Sequence, residues 1–217
     1  GSELVAACAS AGTDYLDLCG EPAWMKKMID EHSAAAQNSG ARIIFSCGFD
    51  SIPFDLGVFF LQQTAIARMA KTVSRVKGRV RQMRGSFSGG TLASFNATMA
   101  AAAKDSQIIE ALKDPFALTG GFVGPSQPKG NKPFFDETIQ SWVAPFIMAS
   151  INTKNIHRSN LLLSHQYGED FVYDEMLVTG PGDEGEALAN SVAKSSGLGN
   201  AKLLPGEGPT ATERAEG

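Results

Sequence analysis

The stretch that decides the fold of this chain is SCGFDSIPFDLG, at residues 46–57. It follows a short apolar run that ends in Phe45, which predicts a strand. Gly48 permits a tight turn, and Pro53 suits the first turn of a helix. A strand that runs through a glycine turn into a helix is typical of a dinucleotide-binding sheet. The Gly-x-Gly-x-x-Gly opening of such a sheet is missing upstream of this stretch.

The segment before this stretch predicts a strand, a helix and a second strand. Residues 15–18 form a short apolar run that we expect to be a buried strand. Pro22 then opens a helix that ends near Ser39, where Gly40 follows, and residues 42–46 form the next strand. Such a unit pairs its strands in parallel. Because parallel sheets are covered on both faces, we expect further strands elsewhere.

The start of the chain predicts that it was cut from a longer protein. Gly1 and Ser2 resemble the remnant of an expression tag. Residues 3–11 begin in mid-helix without a capping residue, and Gly12 closes that helix.

The segment after Pro53 predicts a second domain of mixed composition. Residues 54–66 form a helix that is apolar nearly all round, so we expect it to be buried between two layers. From Thr72 the apolar period becomes two, which predicts a strand of a second sheet. Further elements are predicted along the rest of the chain: a helix over 92–103, a helical turn or two to 113, a covering loop over 114–135, a helix over 137–160 kinked at Pro145, a strand over 171–178 and a helix over 184–195.

These elements predict an α/β chain that holds the C-terminal part of a Rossmann-like parallel sheet and, from residue 72 onward, a second sheet.

Composition excludes several function classes. A net charge of −4 and a pI near 5.4 argue against a nucleic-acid partner, which needs a basic surface. Three widely spaced cysteines predict neither a disulfide framework nor a zinc site, and no metal is expected. The three histidines, His32, His157 and His165, are scattered and predict surface or structural roles. No apolar run reaches the length of a membrane helix, and we expect a cytoplasmic protein.

Two predicted strand ends carry the residue types of a cofactor site. Gly20 and Gly48 would let a cofactor approach the backbone, and the peptide groups around Phe49 and Asp50 could meet a nicotinamide carboxamide. Tight turns with capping acids explain the same residues without a ligand. Asp50 and Asp55 are candidate catalytic acids, although a capped helix with proline near its start has the same sequence pattern.

The glycine-rich turn before the helix at residue 92 predicts an anion site, because helix N-termini bind anions. Its candidate residues for binding a substrate or anion are Arg84, Ser86, Ser88, Gly89 and Thr91. Ser88 and Thr91 could instead only cap the helix. The strand before this turn places Lys77, Arg79 and Arg81 on one face, as a binding stripe or as a solvated sheet face.

Three blocks of the sequence, at residues 15–22, 47–57 and 84–91, resemble the saccharopine dehydrogenase-like oxidoreductases. Within that family they are most similar to the branch that includes the mycobacterial trans-acting enoyl reductases and the animal saccharopine dehydrogenase-like proteins. The resemblance implies an NAD(P)-binding Rossmann domain whose glycine loop lies upstream of residue 1. It also implies a division of the chain into a partial dinucleotide-binding segment over 3–52, a connecting helix over 53–69, an α+β domain for substrate binding and dimerisation over 70–180, and a Gly- and Glu-rich tail with one helix over 181–217. The resemblance hence implies a homodimer that acts on a small molecule.

Two functions follow from these observations. The first is part of an NAD(P)-dependent oxidoreductase. The apolar helix over 54–66 and the Phe-rich loop over 116–135 favour a lipid-linked enoyl or keto substrate, whereas an amino-acid substrate such as saccharopine, the alternative, would require several convergent arginines. In this first case NAD(P) is bound by the parent protein, and this fragment alone binds none and is inactive, since the pyrophosphate site needs its glycine loop. The alternative is a non-catalytic dimerisation or interaction module.

Overall fold

The structure is a computed structural model that describes residues 1–83, 88–195, 204 and 206–216. The chain divides into two compact units. The first comprises Gly1–Val76, Ile108–Gln127 and Ser150–Tyr173, and the second comprises Lys77–Gln107, Pro128–Ala149 and Asp174–Gly217. Among the described residues, no helix combines the length and apolarity needed to span a membrane.

In chain order, the helices and strands are α1 Ser2–Ala11, β1 Tyr15–Leu16, α2 Pro22–Ser39, β2 Ile43–Ile44, α3 Ile52–Met69, β3 Arg75–Val80, α4 Gly89–Ala102, α5 Ser106–Lys113, β4 Phe134–Asp136, β5 Ser141–Pro145, α6 Ala149–Leu162, β6 Val172–Gly180, α7 Gly182–Lys194 and α8 Ala211–Glu216.

In the first unit, α2 connects β1 to β2 along the chain. The two strands pair in parallel, as the sequence predicts. Glycines in the left-handed conformation end the helices at the predicted places, Gly12 after α1 and Gly40 after α2. The ring of Phe45 packs on the rings of Trp24 and Tyr15, with centroids 5.5 and 6.1 Å apart. These aromatic contacts fix α2 against the two short strands.

The core of the first unit lies between α3 and α6. Six buried side chains form one cluster: Val58, Val76, Ile156, Tyr167, Phe171 and Tyr173. Gln62, which is fully buried, donates from Nε2 to the carbonyl of Val73 and accepts the N–H of the same residue through Oε1. These two hydrogen bonds join α3 to the segment just before β3. They also satisfy the buried side-chain amide of Gln62.

The four-stranded sheet has the order β3-β6-β5-β4, with β5 antiparallel to both of its neighbours. Its strands β3 and β6 begin in the first unit and continue in the second. In the second unit, α7 packs against β5 and buries Ala189. The mixed α/β class is therefore confirmed.

Three structural predictions are wrong. The helix predicted over 137–160 contains β5 and begins only at Ala149, because Pro145 ends a strand that is paired with β6 rather than kinking a helix. The strand predicted over residues 15–18 is not buried, because Leu16 is 63% exposed and Leu18 is 76% exposed. The apolar helix α3 is buried on one face only, and Leu56 and Phe60 are 57% and 72% exposed.

A close contact between α7 and the end of β6 gives a testable prediction. A Cβ on Gly185 would lie 2.1 Å from the carbonyl oxygen of Gly180, so backbone would have to move. We expect Gly185→Ala to destabilise the protein by about 1–3 kcal/mol, measured by urea unfolding. Gly90→Ala in α4 is the matched control, because its Cβ would meet only the Ser88 Oγ at 3.5 Å. Equal stability of the two variants would contradict this packing.

Candidate functional site

The carboxyl ends of β1 and β2 lie side by side in the first unit. The N–H of Asp17 donates to the carbonyl of Ile44 over 3.2 Å, and the N–H of Cys47 donates to the carbonyl of Asp17 over 2.7 Å. The loop after β1 and the loop after β2 are therefore hydrogen-bonded to each other where the strands end. This is the edge at which open α/β sheets bind ligands.

The carboxylate of Asp17 ties the two loops together. Its Oδ1 accepts the N–H groups of Cys19, at 2.9 Å, and Ser46, at 3.3 Å. Its Oδ2 accepts the hydroxyl of Tyr15 at 2.8 Å. Burial and this hydrogen bond raise the pKa of Tyr15 to about 12, so the phenol stays a donor at neutral pH.

Ser46 holds an unusual backbone conformation at this edge. It has a positive φ of 58° although it is not glycine, and it is buried. Its Oγ donates to the carbonyl of Cys19 over 2.6 Å. Strained residues of this kind persist only where their surroundings hold them, and they cluster at functional sites. No feature of the sequence distinguishes Ser46 from an ordinary strand end, so sequence reasoning missed it.

The structure brings the four predicted cofactor residues to these two loops. Phe49 is 79% exposed, and Asp50 is also exposed. A Cβ on Gly48 would lie 2.5 Å from the Asp50 Oδ1, and one on Gly20 would lie 3.3 Å from the Ile151 Cδ1. A side chain at either glycine would thus meet a side chain already present, so both positions require glycine for packing, and the exposed Phe49 ring offers a stacking surface. The exposed turn and its aromatic ring are compatible with the nicotinamide end of a dinucleotide, and cofactor binding there stays a prediction.

Helix α6 approaches the same loops, which the sequence did not reveal. The Nδ2 of Asn152 donates to the carbonyl of Asp50 over 2.9 Å. Asn152 is buried, and its neighbour Ile151 faces Gly20. A contact between residues about a hundred positions apart leaves no local signal.

The two candidate acids differ in environment. The Oδ2 of Asp55 accepts a hydrogen bond from the hydroxyl of Ser159 over 3.0 Å. Burial raises the pKa of the Asp55 carboxyl and outweighs the lowering by this hydrogen bond. Its Oδ1 is buried, with no hydrogen-bond partner among the described residues. Asp50 is exposed and lies in the turn itself. A raised pKa favours Asp55 over Asp50 as a proton donor, and neither role is tested by the structure.

The two cysteines of these loops are poor nucleophiles. The Sγ of Cys19 lies 3.0 Å from the Glu21 Oε2. Burial, and to a smaller extent the hydrogen bond to this carboxylate, raises the pKa of the Cys19 thiol. Burial also raises the pKa of the Cys47 thiol. Both are protonated at neutral pH. Within the described ranges, no group of three or more His, Cys, Asp or Glu side chains could hold a metal ion.

The opposite face of α6 buries two basic side chains. The Nζ of Lys154 donates to the carbonyls of Leu112 and Ser150 over 2.9 and 2.7 Å, and burial lowers its pKa to about 8. The ring of His157 packs on Phe116, with centroids 4.5 Å apart. Burial and the charge of Lys154 lower the pKa of His157 to about 4, so the ring is neutral at physiological pH. These contacts are consistent with a structural role for His157.

The predicted anion site lies partly outside the described residues, which exclude Arg84 and Ser86. Ser88 caps α4, because its Oγ accepts the N–H of Thr91 at 3.2 Å. The N–H of Gly89 donates to the carbonyl of Glu207 over 2.8 Å. The capping interpretation is thus observed for Ser88, and anion binding stays a prediction.

The predicted basic row is neither a binding stripe nor a solvated face. In the second unit, Arg79 donates to Asp136 through Nε over 2.9 Å and to Asp174 through Nη1 over 3.0 Å. Lys77 donates to the other oxygen of Asp136 over 3.0 Å. The side chains of Arg79, Asp136 and Asp174 are almost fully buried, whereas that of Lys77 is partly exposed. Only Arg81, which is exposed, matches the solvated interpretation.

A Gly-x-Gly-x-x-Gly sequence does occur downstream, at residues 180–185 between β6 and α7. Gly180 and Gly182 have positive φ, and Gly185 permits the close contact described above. Asp183 and Glu184 occupy the first turn of α7, and their charges disfavour a phosphate there. The motif therefore serves packing between strand and helix.

Comparison with known proteins places the chain among named relatives. It is 38% identical over 247 aligned positions to a Mycobacterium tuberculosis protein named "Putative trans-acting enoyl reductase", an alignment covering 100% of this chain and 58% of the relative. A "Trans-acting enoyl reductase" of Mycobacterium bovis is 35% identical over 92% of this chain and 51% of its own length. A Mycobacterium ulcerans protein of the same name is 32% identical over 100% of this chain and 58% of its own length. The chain thus spans little more than half the length of these relatives. No protein-family model matches it. No solved structure matches it significantly.

Proposed function

We propose that this chain is part of an oxidoreductase that uses a nicotinamide dinucleotide to reduce an enoyl group. The observation that carries the proposal is the joining of the two strand ends, which brings Gly20 and Gly48 to one edge together with the exposed ring of Phe49. The names of the relatives support an enoyl substrate. Their similarity supports the assignment to oxidoreductases in general.

The Rossmann-like arrangement is part of the same proposal. Leu16 and Ile44 are register partners on β1 and β2, and Leu18 follows Leu16 at a spacing of two, so all three belong to one face of the sheet. They are 63%, 47% and 76% exposed, respectively. Since both faces of parallel sheets are normally covered, this bare apolar face supports a larger dinucleotide-binding sheet. Residues 3–52 would be its last part.

Each candidate residue has a defined task in this proposal. Gly20 and Gly48 would admit the nicotinamide end to the backbone, and Phe49 and Asp50 would hold it. The dinucleotide supplies the hydride when it is bound. Asp55, the acid with the raised pKa, would hold the proton that the reduced product needs, with Ser159 orienting its carboxyl. Asn152 fixes the carbonyl of Asp50 and hence the shape of the turn.

The apolar surface beside the turn bears on the class of substrate. Along α3, Ile52, Leu56 and Phe60 recur at intervals of four and are all exposed. They share one face of the helix that follows the turn of Phe49 in the sequence, and they support a lipid-linked substrate. The Phe-rich loop gives less support than its sequence suggests, because Phe116 is buried against His157.

Hydride transfer tests the proposal directly. The protein expressed from the complete reading frame would be mixed with NADPH and a 2-enoyl thioester, and the absorbance of NADPH followed together with the mass of the product. Reduction of the double bond with loss of NADPH is expected, and Asp55→Asn should slow it at least about tenfold. Failure to consume either NADPH or NADH with short- and long-chain enoyl thioesters would contradict the proposal.

A second candidate function is a non-catalytic dimerisation or interaction module. The exposed apolar face of α3 favours it, because exposed apolar patches of this kind mark contact surfaces. Sedimentation equilibrium of the chain distinguishes the outcomes. Self-association that Phe60→Ser abolishes would support this function, and a strictly monomeric species would remove it.

A further inference from the structure

The carboxylate of Asp17 has three hydrogen bonds and no ion pair among the described residues. Two of its donors are backbone N–H groups, one in each of the loops that follow β1 and β2. The third is the phenol of Tyr15, on the same strand as Asp17. One side chain therefore joins the loop of Cys19 to the loop of Ser46, beside the bond from the Ser46 Oγ to the carbonyl of Cys19.

The conformation that this carboxylate holds is otherwise unfavourable. A positive φ at a residue with a Cβ costs about 1–2 kcal/mol, so Ser46 would leave it if nothing opposed the change. Two contacts oppose it: the N–H of Ser46 donates to Asp17, and its Oγ donates to the carbonyl of Cys19. Gly48 follows two residues later, so any change at Ser46 moves the turn that contains Gly48 and Phe49.

We infer that Asp17 is a positioning residue, whose carboxylate fixes Cys19 and Ser46 so that the two glycine-containing loops together form the dinucleotide-binding edge. The inference rests on the proposed function, since it assigns a role within that binding edge. Asp17 does not touch the dinucleotide in this account. It acts through the backbone of the residues that would.

A series of substitutions tests the role through NADPH affinity, measured by fluorescence titration of the protein expressed from the complete reading frame. Asp17→Ala removes both acceptor oxygens and so all three hydrogen bonds, and we expect the Kd for NADPH to rise roughly tenfold or more. Asp17→Asn keeps a side-chain oxygen for the two N–H groups, so its Kd should stay within about threefold of wild type. Tyr15→Phe is the matched control, because it removes only the bond that does not join the loops.

Ser46→Ala covers the case in which Asp17→Ala fails to fold. It deletes the bond from Oγ to the carbonyl of Cys19 and the weaker contact from Oγ to the Met25 Sδ at 3.7 Å, and it should raise the Kd with little change in the melting temperature. Unchanged affinity in both Asp17→Ala and Ser46→Ala would overturn the positioning role, as would equal losses in the Asn and Ala variants of Asp17. If wild type binds neither NADPH nor NADH, the proposed function itself fails, and this inference fails with it.

Discussion

Replacement of Asp136 by alanine is expected to destabilise the protein by about 3–5 kcal/mol. The carboxylate is 2% exposed and accepts hydrogen bonds from Lys77, Arg79 and Thr138. Its removal leaves the buried guanidinium of Arg79 with Asp174 as its one carboxylate partner among the described residues and empties a fully packed polar site, and breaking a buried ion-pair network in this way costs far more than the network contributes. Urea unfolding, followed by the fluorescence of Trp142 in a Trp24→Phe background, would measure the loss.

The matched control for this prediction is a surface ion pair. Lys26 and Asp30 lie 2.6 Å apart with both side chains about half exposed, so Asp30→Ala should cost less than about 1 kcal/mol. A similarly small cost for Asp136→Ala would contradict the proposed role of the buried network.

Burial alone would raise the pKa of Asp136, but the hydrogen bonds from Thr138, Lys77 and Arg79 hold it well below its usual range. Its stabilisation is therefore complete above about pH 4 and is lost as the pH falls through the lower folded-state pKa.

His157 is expected to make stability fall as the pH drops from about 6.5 to about 4. Its pKa is about 4 in the folded protein because burial, and then the charge of Lys154, disfavour the imidazolium. The unfolded chain has a His pKa near 6.5, so it binds the proton first as the pH falls. The free energy of unfolding should decline across this window by up to about 3 kcal/mol. Urea titrations at pH 7.5, 5.5 and 4.5 would show the decline.

Two variants isolate this contribution from that of the carboxylates. His157→Phe keeps an aromatic ring against Phe116 and removes the titrating group, so its stability should change much less over the same window. His32→Gln, at a partly exposed position within α2, should retain the wild-type dependence. Equal slopes for wild type and His157→Phe would rule out His157 as the source.

Much of the first unit could be predicted because its signals are local. The helix from Pro22 to Ser39 has apolar residues at helical spacing and a glycine just past its end, and the flanking strands are short apolar runs. The parallel pairing of β1 with β2 follows from the connecting helix. The turn at Gly48 was predicted because glycine and proline mark both of its ends.

The parts that failed depend on distant partners. The strand Ser141–Pro145 exists because β4 and β6 pair with it, and Pro145 lies at its end, whereas the sequence alone favours a kinked helix there. The basic row on β3 is neutralised by Asp136 and Asp174, which are about 57 and 95 positions away from Arg79. The role of Asn152 and the strain at Ser46 likewise arise from contacts that adjacent residues do not indicate.

The most direct measurement of the central claim is an NADPH titration of the protein from the complete reading frame, comparing wild type with Gly48→Val. The Cβ of a valine would lie 2.5 Å from the Asp50 Oδ1, so the side chain would displace the Asp50 carboxylate and reshape the turn at which we place the nicotinamide. Gly57→Ala in α3 is the control, since nothing lies within 4 Å of its Cβ. We predict that wild type and Gly57→Ala bind NADPH, and that Gly48→Val loses at least about tenfold in affinity while remaining folded. A folded Gly48→Val that binds NADPH as wild type does would contradict the placement of the cofactor at this turn.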